Sequence, residues 1–248
     1  AWGGHLAEEL ETVVQRHGAE TIAAVIVEPV AGSTGVLVPP LGYLERLREI
    51  CSKYGILLIF DEVITAFGRI GSAFAAERFQ VIPDIITTAK GLTNGVIPMG
   101  AVLVKGEIYD AFMQGPDHAI ELFHGFTYSG HPVAAAAGNA TLEIYREENV
   151  FVQARYLEPI FEQAIHALKD APHVIDIRNF GLMGAIELAP RPDQPGARGL
   201  DTHIRCFEKG LMVRNGMDTL QFSPFLNSSP DLIEETFATV ADVLQSIK

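Results

Sequence analysis

"LERLREICSKYGILLIFDEV", residues 44–63, changes its periodicity at a single glycine. Before that glycine, Leu44, Leu47, Ile50, Cys51 and Tyr54 recur at the spacing that lines one face of a helix, and Gly55 supplies the stop. After it, Ile56 to Phe60 run without a polar residue and end on the acidic pair Asp61 and Glu62. An unbroken apolar run suits a strand covered on both faces, whereas a half-exposed strand would alternate. Similar runs occur upstream in "TIAAVIV" (21–27) and downstream in "VIPDIITTA" (81–89) and "GAVLVK" (100–105). Apolar strands alternating with amphipathic helix predict a β-α-β unit and a mainly parallel sheet with helices on both faces. The class is α/β.

Beyond residue 148 the texture changes. A charged helical stretch reaches Lys169, and "HVIDIRNFG" (173–181) and "LMGAIELA" (182–189) alternate as paired strands do. "APRPDQPGARG" (189–199) is a Pro/Gly-rich loop, and "GLMVRNG" (210–216) and "DTLQFSP" (218–224) are further short strands. Ile233, Phe237, Val240, Leu244 and Ile247 mark a terminal amphipathic helix. We expect a large α/β domain over 1–148 and a small α+β domain over 149–248.

Composition removes several function classes. With 248 residues and 48% apolar side chains the chain can bury a large core. Its 18 Lys+Arg against 31 Asp+Glu give a net charge of −13, which argues against nucleic acid and anionic membrane as partners. Cys51 and Cys206 are far apart in sequence and lack companions at metal-ligand spacing, so no disulfide framework or zinc site is expected, and Cys51 falls on the apolar face of its helix as core. Apolar runs such as "ILLIF" (56–60) fall far short of the roughly 20 residues needed to cross a membrane. A cytoplasmic location is expected.

In open α/β sheets ligands bind beyond the carboxyl ends of the strands. Those positions hold Glu28 after "VIV", Asp61 and Glu62 after "LLIF", and Lys90 after "ITTA". Asp61 alone would serve as a turn or helix cap. If withdrawn from water, however, its carboxylate needs a hydrogen-bonded or cationic partner, and a protonated heteroaromatic nitrogen would supply one. Lys90 alone would be a solvated loop lysine. Its apolar approach and the following "GLTNG" predict a backbone packed closely around it, and a partly desolvated amine is nucleophilic toward carbonyls. The stretch "FHGFTYSGHP" (123–132) precedes the small-residue run "VAAAAGNA" (133–140). It can hold a phosphate through Thr127 and main-chain amides, or act as a polar turn before a tightly packed helix. His124 and His131 in it lack a third clustered ligand, so no metal is expected.

The strings "VEPVAGSTG", "LLIFDEVITAFGRIG", "AKGLTNGVIPMGAV", "LFHGFTYSGHP" and "DTLQFSP", in this order, resemble the class III aminotransferases, which use pyridoxal 5'-phosphate on the fold-type I scaffold. Within the class the chain looks most like the ω-amino acid:pyruvate (β-alanine:pyruvate) branch. The resemblance implies that Lys90 forms the Schiff base with the cofactor and carries the proton, and that Asp61 pairs with the pyridine nitrogen. It implies too that Val63 presses on one face of the ring and that Thr127 reaches the cofactor phosphate of the neighbouring subunit in a homodimer or dimer of dimers. Ornithine and γ-aminobutyrate members carry a glutamate where this chain has Ser33 and an arginine where it has Gln221. In the ω-branch the residue that maps to Arg214 grips the substrate carboxylate, with a surface salt bridge as the structural alternative. Glu28 and Glu62 are read as structural partners at the strand ends.

Members of the class begin further upstream, with a segment that helps build the small domain, a glycine-serine phosphate loop and an aromatic residue stacked on the cofactor. Trp2 does not stand in for that aromatic. A carboxyl-terminal part of such an enzyme is therefore expected, with an edge and an apolar face of its sheet uncovered. Three readings stay open at this point: a transaminase passing an amino group from an ω-amino acid or amine to pyruvate, an aminomutase or racemase using the same lysine, aspartate and threonine, and a catalytically silent fragment.

Overall fold

In the computed structural model, which describes residues 3–247 and so leaves Trp2 outside, the switch at Gly55 stands as the periodicity predicts. In chain order the elements are α1 (Gly4–His17), β1 (Ala24–Val27), α2 (Tyr43–Tyr54), β2 (Leu57–Asp61), α3 (Ala75–Phe79), β3 (Ile85–Thr88), β4 (Ala101–Val104), α4 (Gly106–Phe112) and α5 (Pro132–Glu147). Then come α6 (Val150–His166), β5 (Val174–Phe180), β6 (Met183–Leu188), α7 (Ala197–Glu208), β7 (Arg214–Gly216), β8 (Thr219–Phe222) and α8 (Pro230–Ser246). Gly55 adopts the left-handed conformation (φ 68°) and its amide bonds to the Cys51 carbonyl, the C-terminal cap the sequence predicts. The chain divides into two units, the first made of 1–27, 40–64 and 79–147, the second of 28–39, 65–78 and 148–248.

The first unit holds a sheet ordered β1-β2-β3-β4. β1 pairs with β2, and β2 with β3, in parallel. β4 is the exception in this mainly parallel sheet: it runs antiparallel to β3, with Ile85 opposite Val104 and Thr88 opposite Ala101. A parallel return needs a crossover of a dozen or more residues, usually a helix. Only a 3-10 turn over Lys90–Leu92 lies between β3 and β4, so the chain folds straight back. Coverage of the sheet is also less even than an unbroken apolar run implies. Leu58 and Phe60 are fully buried, whereas Leu57 and Ile59 are half-buried and Val102, Leu103 and Val104 on the edge strand are exposed. The helices of this chain seal one set of strand positions, and the outer side of β4 pairs with no described strand.

α1 lies along α2, pinned by Arg46 to Glu8 and Glu11 and by Lys53 and Tyr54 to Glu11. At the amino end of β3, Asp84 binds the Arg48 guanidinium and the Lys105 ammonium, each at 2.7 Å, and accepts the Leu58 amide at 2.8 Å.

The second unit is built on an antiparallel sheet ordered β5-β6-β8-β7. Its core joins Leu157, Phe161 and Ile165 of α6 to Ile186 of β6, Leu220 of β8, and Val240 and Leu244 of α8. The segment 189–199 is loop only as far as Gly196, because α7 begins at Ala197. Asp218, just before β8, accepts the amides of Gly196 and Gly199 and so caps that helix. Packing there is close: a Cβ on Gly199 would stand 2.1 Å from the Met217 carbonyl oxygen. A tethered loop, 28–39, belongs to the same unit, with the Glu28 carboxylate accepting the Gly32 amide and Arg178 Nε donating to the Gly35 carbonyl at 2.8 Å.

Asp84 gives the first prediction. Burial alone would raise its carboxyl, but the Leu58 amide, Lys105 and Arg48 outweigh that and pull it from an ordinary 3.8 down to about 2. A depressed carboxyl stabilises the fold where it is ionised, so this contribution is complete above about pH 4 and fades as pH falls through the folded value. Asp84→Asn is expected to lower the unfolding free energy by about 1–3 kcal/mol at neutral pH and to flatten the acid side of the stability profile. Urea midpoints measured from pH 7 down to the acid limb check both.

Candidate active site

The register of β2 and β3 assembles the site. Asp61 ends β2 opposite Thr87 of β3, and the Glu62 amide continues the ladder by donating to the Thr87 carbonyl at 2.9 Å. Because the strands run the same way, Lys90, two residues past the end of β3, emerges at the same carboxyl edge one strand over, a spacing of about 4.8 Å between neighbouring strands. Asp61 is half-buried, and its Oδ1 accepts the Val63 amide at 3.1 Å, an Asx-type turn that fixes the first residues after the strand. Its second carboxylate oxygen has no partner among the described residues. Glu62 takes the opposite course and is fully buried. Val63 is half-buried beside Asp61. Glu28 is occupied locally with the Gly32 amide, in the second unit.

Lys90 begins the 3-10 turn with φ 42°, a left-handed conformation uncommon outside glycine. That turn directs its packing inward through other residues: Leu92 and Thr93 are buried, while Asn94, Gly95 and Val96 are exposed. Lys90 itself is exposed, and its ammonium has no hydrogen-bond or ion-pair partner among the described residues. The expectation that "GLTNG" would wrap and desolvate the amine is therefore corrected. The backbone of the turn is tightly held; the side chain is not covered within this chain.

What holds the turn is α5. Ala134, Gly138 and Thr141 are buried on it, Gly138 lies against the Leu92 carbonyl and Met99, and the Tyr145 hydroxyl donates to the Gly91 carbonyl at 2.7 Å. The Thr93 hydroxyl donates to the Ile97 carbonyl at 2.6 Å and closes the far side. Tyr145 and Thr93 went unnoticed in the sequence, yet residues 134, 138, 141 and 145 follow the four-three-four spacing of one helical face.

The loop before α5 is open. Thr127 is exposed, and a cleft of about 700 Å³ beside it is lined by Pro98, Met99, Tyr128, Ser129, Gly130 and His131 among others. His124 stacks edge-on against Phe126. No group of three or more His, Cys, Asp or Glu among the described residues is arranged to hold a metal. No described helix is long and apolar enough to cross a membrane. Both cysteines are buried, and burial pushes the Cys206 thiol up to about 11.

In the second unit, Arg214 opens β7, exposed and directly opposite Gln221 of β8. No carboxylate lies within ion-pair distance of it among the described residues, so the salt-bridge alternative is not realised. Both residues line a groove of about 630 Å³ floored by Phe161, Phe222 and Phe237. Gln221 Nε2 donates to the Ser33 carbonyl at 3.1 Å.

The family profile described as aminotransferase class-III matches residues 2–244. The chain belongs to the class-III aminotransferases. Its curated relatives include an ω-aminotransferase of Caulobacter vibrioides, 57% identical over 99% of this chain and 56% of its own length, and a β-alanine–pyruvate aminotransferase of Pseudomonas aeruginosa, 52% identical over 99% and 55%. Among solved structures, an (S)-enantioselective ω-transaminase from Thermomicrobium roseum superimposes with TM-score 0.91 at 38% identity, over 98% of this chain and 55% of that one. The α/β layout, with its mainly parallel sheet, is thus that of fold-type I transaminases. The chain spans about half the length of the relatives it matches.

For this class-III aminotransferase chain the buttress of the lysine turn is open to test. Tyr145→Phe removes one hydrogen bond and is expected to lower stability by about 0.5–1.5 kcal/mol, a shift of about 2–4 °C in Tm per kcal/mol. Hydrogen exchange should quicken at the amides of Thr93, Asn94 and Gly95, which bond back to the Lys90 and Gly91 carbonyls. Exchange unchanged there would show that α5 does not hold the turn.

Proposed function

We propose that the protein carrying this chain moves an amino group from an ω-amino acid or amine to pyruvate, with pyridoxal 5'-phosphate as cofactor. The observation that carries the reading is the parallel register that brings a half-satisfied carboxylate, Asp61, and a partnerless amine, Lys90, to one edge of neighbouring strands. The names borne by the Caulobacter and Pseudomonas relatives support the reaction and the acceptor.

The residues suit the cofactor. Asp61 is too enclosed to be indifferent to a counter-charge and has an oxygen to spare, which fits a protonated pyridine nitrogen. When bound, pyridoxal phosphate supplies an electron sink for charge developing at the substrate carbon. Asp61 holds the positive charge that makes the ring such a sink. Lys90 Nζ would hold the cofactor and would take and return the proton at the substrate carbon. Val63 would shield the ring from water, and Thr127 would offer its hydroxyl to the cofactor phosphate of the neighbouring subunit in a homodimer or dimer of dimers. Cover for the exposed Lys90 comes in this reading from the cofactor and the neighbouring subunit. Arg214 offers two parallel N–H groups to a substrate carboxylate. In the same reading 1–148 is the cofactor-binding large domain and 149–248 the small one.

Borohydride reduction of the protein after loading with pyridoxal phosphate is expected to fix the cofactor on the peptide that contains Lys90. Lys90→Ala should abolish that adduct and the visible absorbance band, and lower the transamination rate by about 10²–10⁴-fold. An adduct on another lysine, or a band that survives Lys90→Ala, would end this reading.

A further inference from the structure

Four cationic side chains of the second unit are held by carboxylates. Arg178 is engaged by Asp176, Glu187 and the Gly35 carbonyl, Arg78 by Glu158, and both Arg191 and Arg205 by Asp201. Arg214, like the exposed Arg155 and Lys169, has no such partner among the described residues, and what sets it apart is its place. It sits on a short edge strand, without a carboxylate in reach among the described residues, at the rim of an apolar groove. The residue facing it across the ladder is Gln221. Directly opposed antiparallel residues have Cβ atoms about 4.5–5.5 Å apart, close enough that a charge at one decides the state of the other.

Gln221 is neutral, and its conformation is set. The Ser33 carbonyl can only accept, so the group facing it must be the Nε2 amide of Gln221, at 3.1 Å. This ties the 28–39 loop to β8, alongside the Arg178 bond to the Gly35 carbonyl two residues on. Room for the carboxamide comes from Gly216, where a Cβ would stand 3.1 Å from Nε2. A glutamate at 221 would meet the Ser33 carbonyl oxygen with another oxygen and would hand Arg214 an intramolecular carboxylate. A glutamine does neither.

We propose that Gln221 is a specificity-determining positioning residue: its neutral amide, turned to the Ser33 carbonyl, offers the opposite Arg214 no carboxylate and so leaves it free for the carboxylate of an ω-amino acid or of pyruvate. This rests on the reading above, in which Arg214 receives that carboxylate.

The test uses the cofactor-loaded enzyme with two amino donors, β-alanine and an arylalkylamine that has no carboxylate. Gln221→Glu is expected to raise KM for β-alanine about tenfold or more while leaving KM for the arylalkylamine within about twofold of the parent. Gln221→Asp, a second carboxylate variant, should move the ratio in the same direction, and Gln221→Met, which stays neutral, should leave it within about threefold. Independently of turnover, saturating propionate should raise the Tm of the parent and of Gln221→Met but not of Gln221→Glu. The inference is overturned if the carboxylate variants raise both KM values alike, if they leave the ratio unchanged, or if Gln221→Met shifts it as far as they do. Arg214→Ala separates the two levels. If it leaves the β-alanine KM unaltered, the role given to Arg214 fails; if it raises that KM while Gln221→Glu does not, only the role of Gln221 falls.

Discussion

The pairing of β2 with β3 is the constraint from which the candidate site follows. In a strand, side chains alternate between faces, and a slip of one residue would exchange every one of them. Leu58, Phe60 and Glu62 share one parity and are all fully buried, while Asp61 between them is left half-buried. The apolar burial of Leu58 and Phe60 therefore fixes which member of the acidic pair stays accessible. Parallel pairing then brings the continuation of β3, with Lys90, to the same edge. No direct contact between the two side chains is required for this: hydrogen-bond register and the burial of two apolar residues suffice.

The Lys90 ammonium has no hydrogen-bond or ion-pair partner among the described residues, so its position has to come from the main chain. The Lys90 turn meets that need with a left-handed residue, buried side chains at Leu92 and Thr93, and hydrogen bonds to Gly91 and Ile97 from side chains outside the reacting group. Small residues on α5 let the helix approach closely enough for Tyr145 to reach the turn. The result is a fixed backbone carrying a free amine. Val102 on β4 and Phe123 before Thr127 are exposed apolar residues of the same unit.

The elements legible in the sequence were those whose signal is local. Periodicity at Leu44, Leu47, Ile50 and Cys51 set α2, Gly55 its end, and the terminal apolar spacing α8. The antiparallel sense of β4 was not legible in "GAVLVK", because an apolar strand reads the same in either direction; the deciding fact is the absence of a crossover helix between Thr88 and Ala101. The start of α7 was hidden for a related reason. Its cap is Asp218, some twenty residues downstream, and local composition around Gly196 reads as loop. Asp61 and Lys90 are candidates through their place after apolar runs, a rule about strand ends, whereas Val63 and Arg214 come from the family resemblance alone. Tyr145, Gln221 and the exposure of Lys90 depend on which segments meet in space, and neither propensity nor spacing encodes that.

Asp84 and Asp61 show how one pair of strands separates stability from chemistry. Asp84 stands at the amino end of β3 and Asp61 at the carboxyl end of β2, so a similar carboxylate occurs at each end of the same ladder. The first is saturated: two cations and a backbone amide meet it, and their combined pull outweighs the effect of burial. Such a group gains nothing from a further ligand, and protonating it only weakens the fold. The second has one internal amide and an unpaired oxygen, in surroundings half withdrawn from water. A carboxylate left in that condition is stabilised by any cation delivered to it, whereas a fully paired one would have to break existing bonds first. The difference in pairing is what leaves the carboxyl edge, and not the amino edge, with a carboxylate open to a further cation.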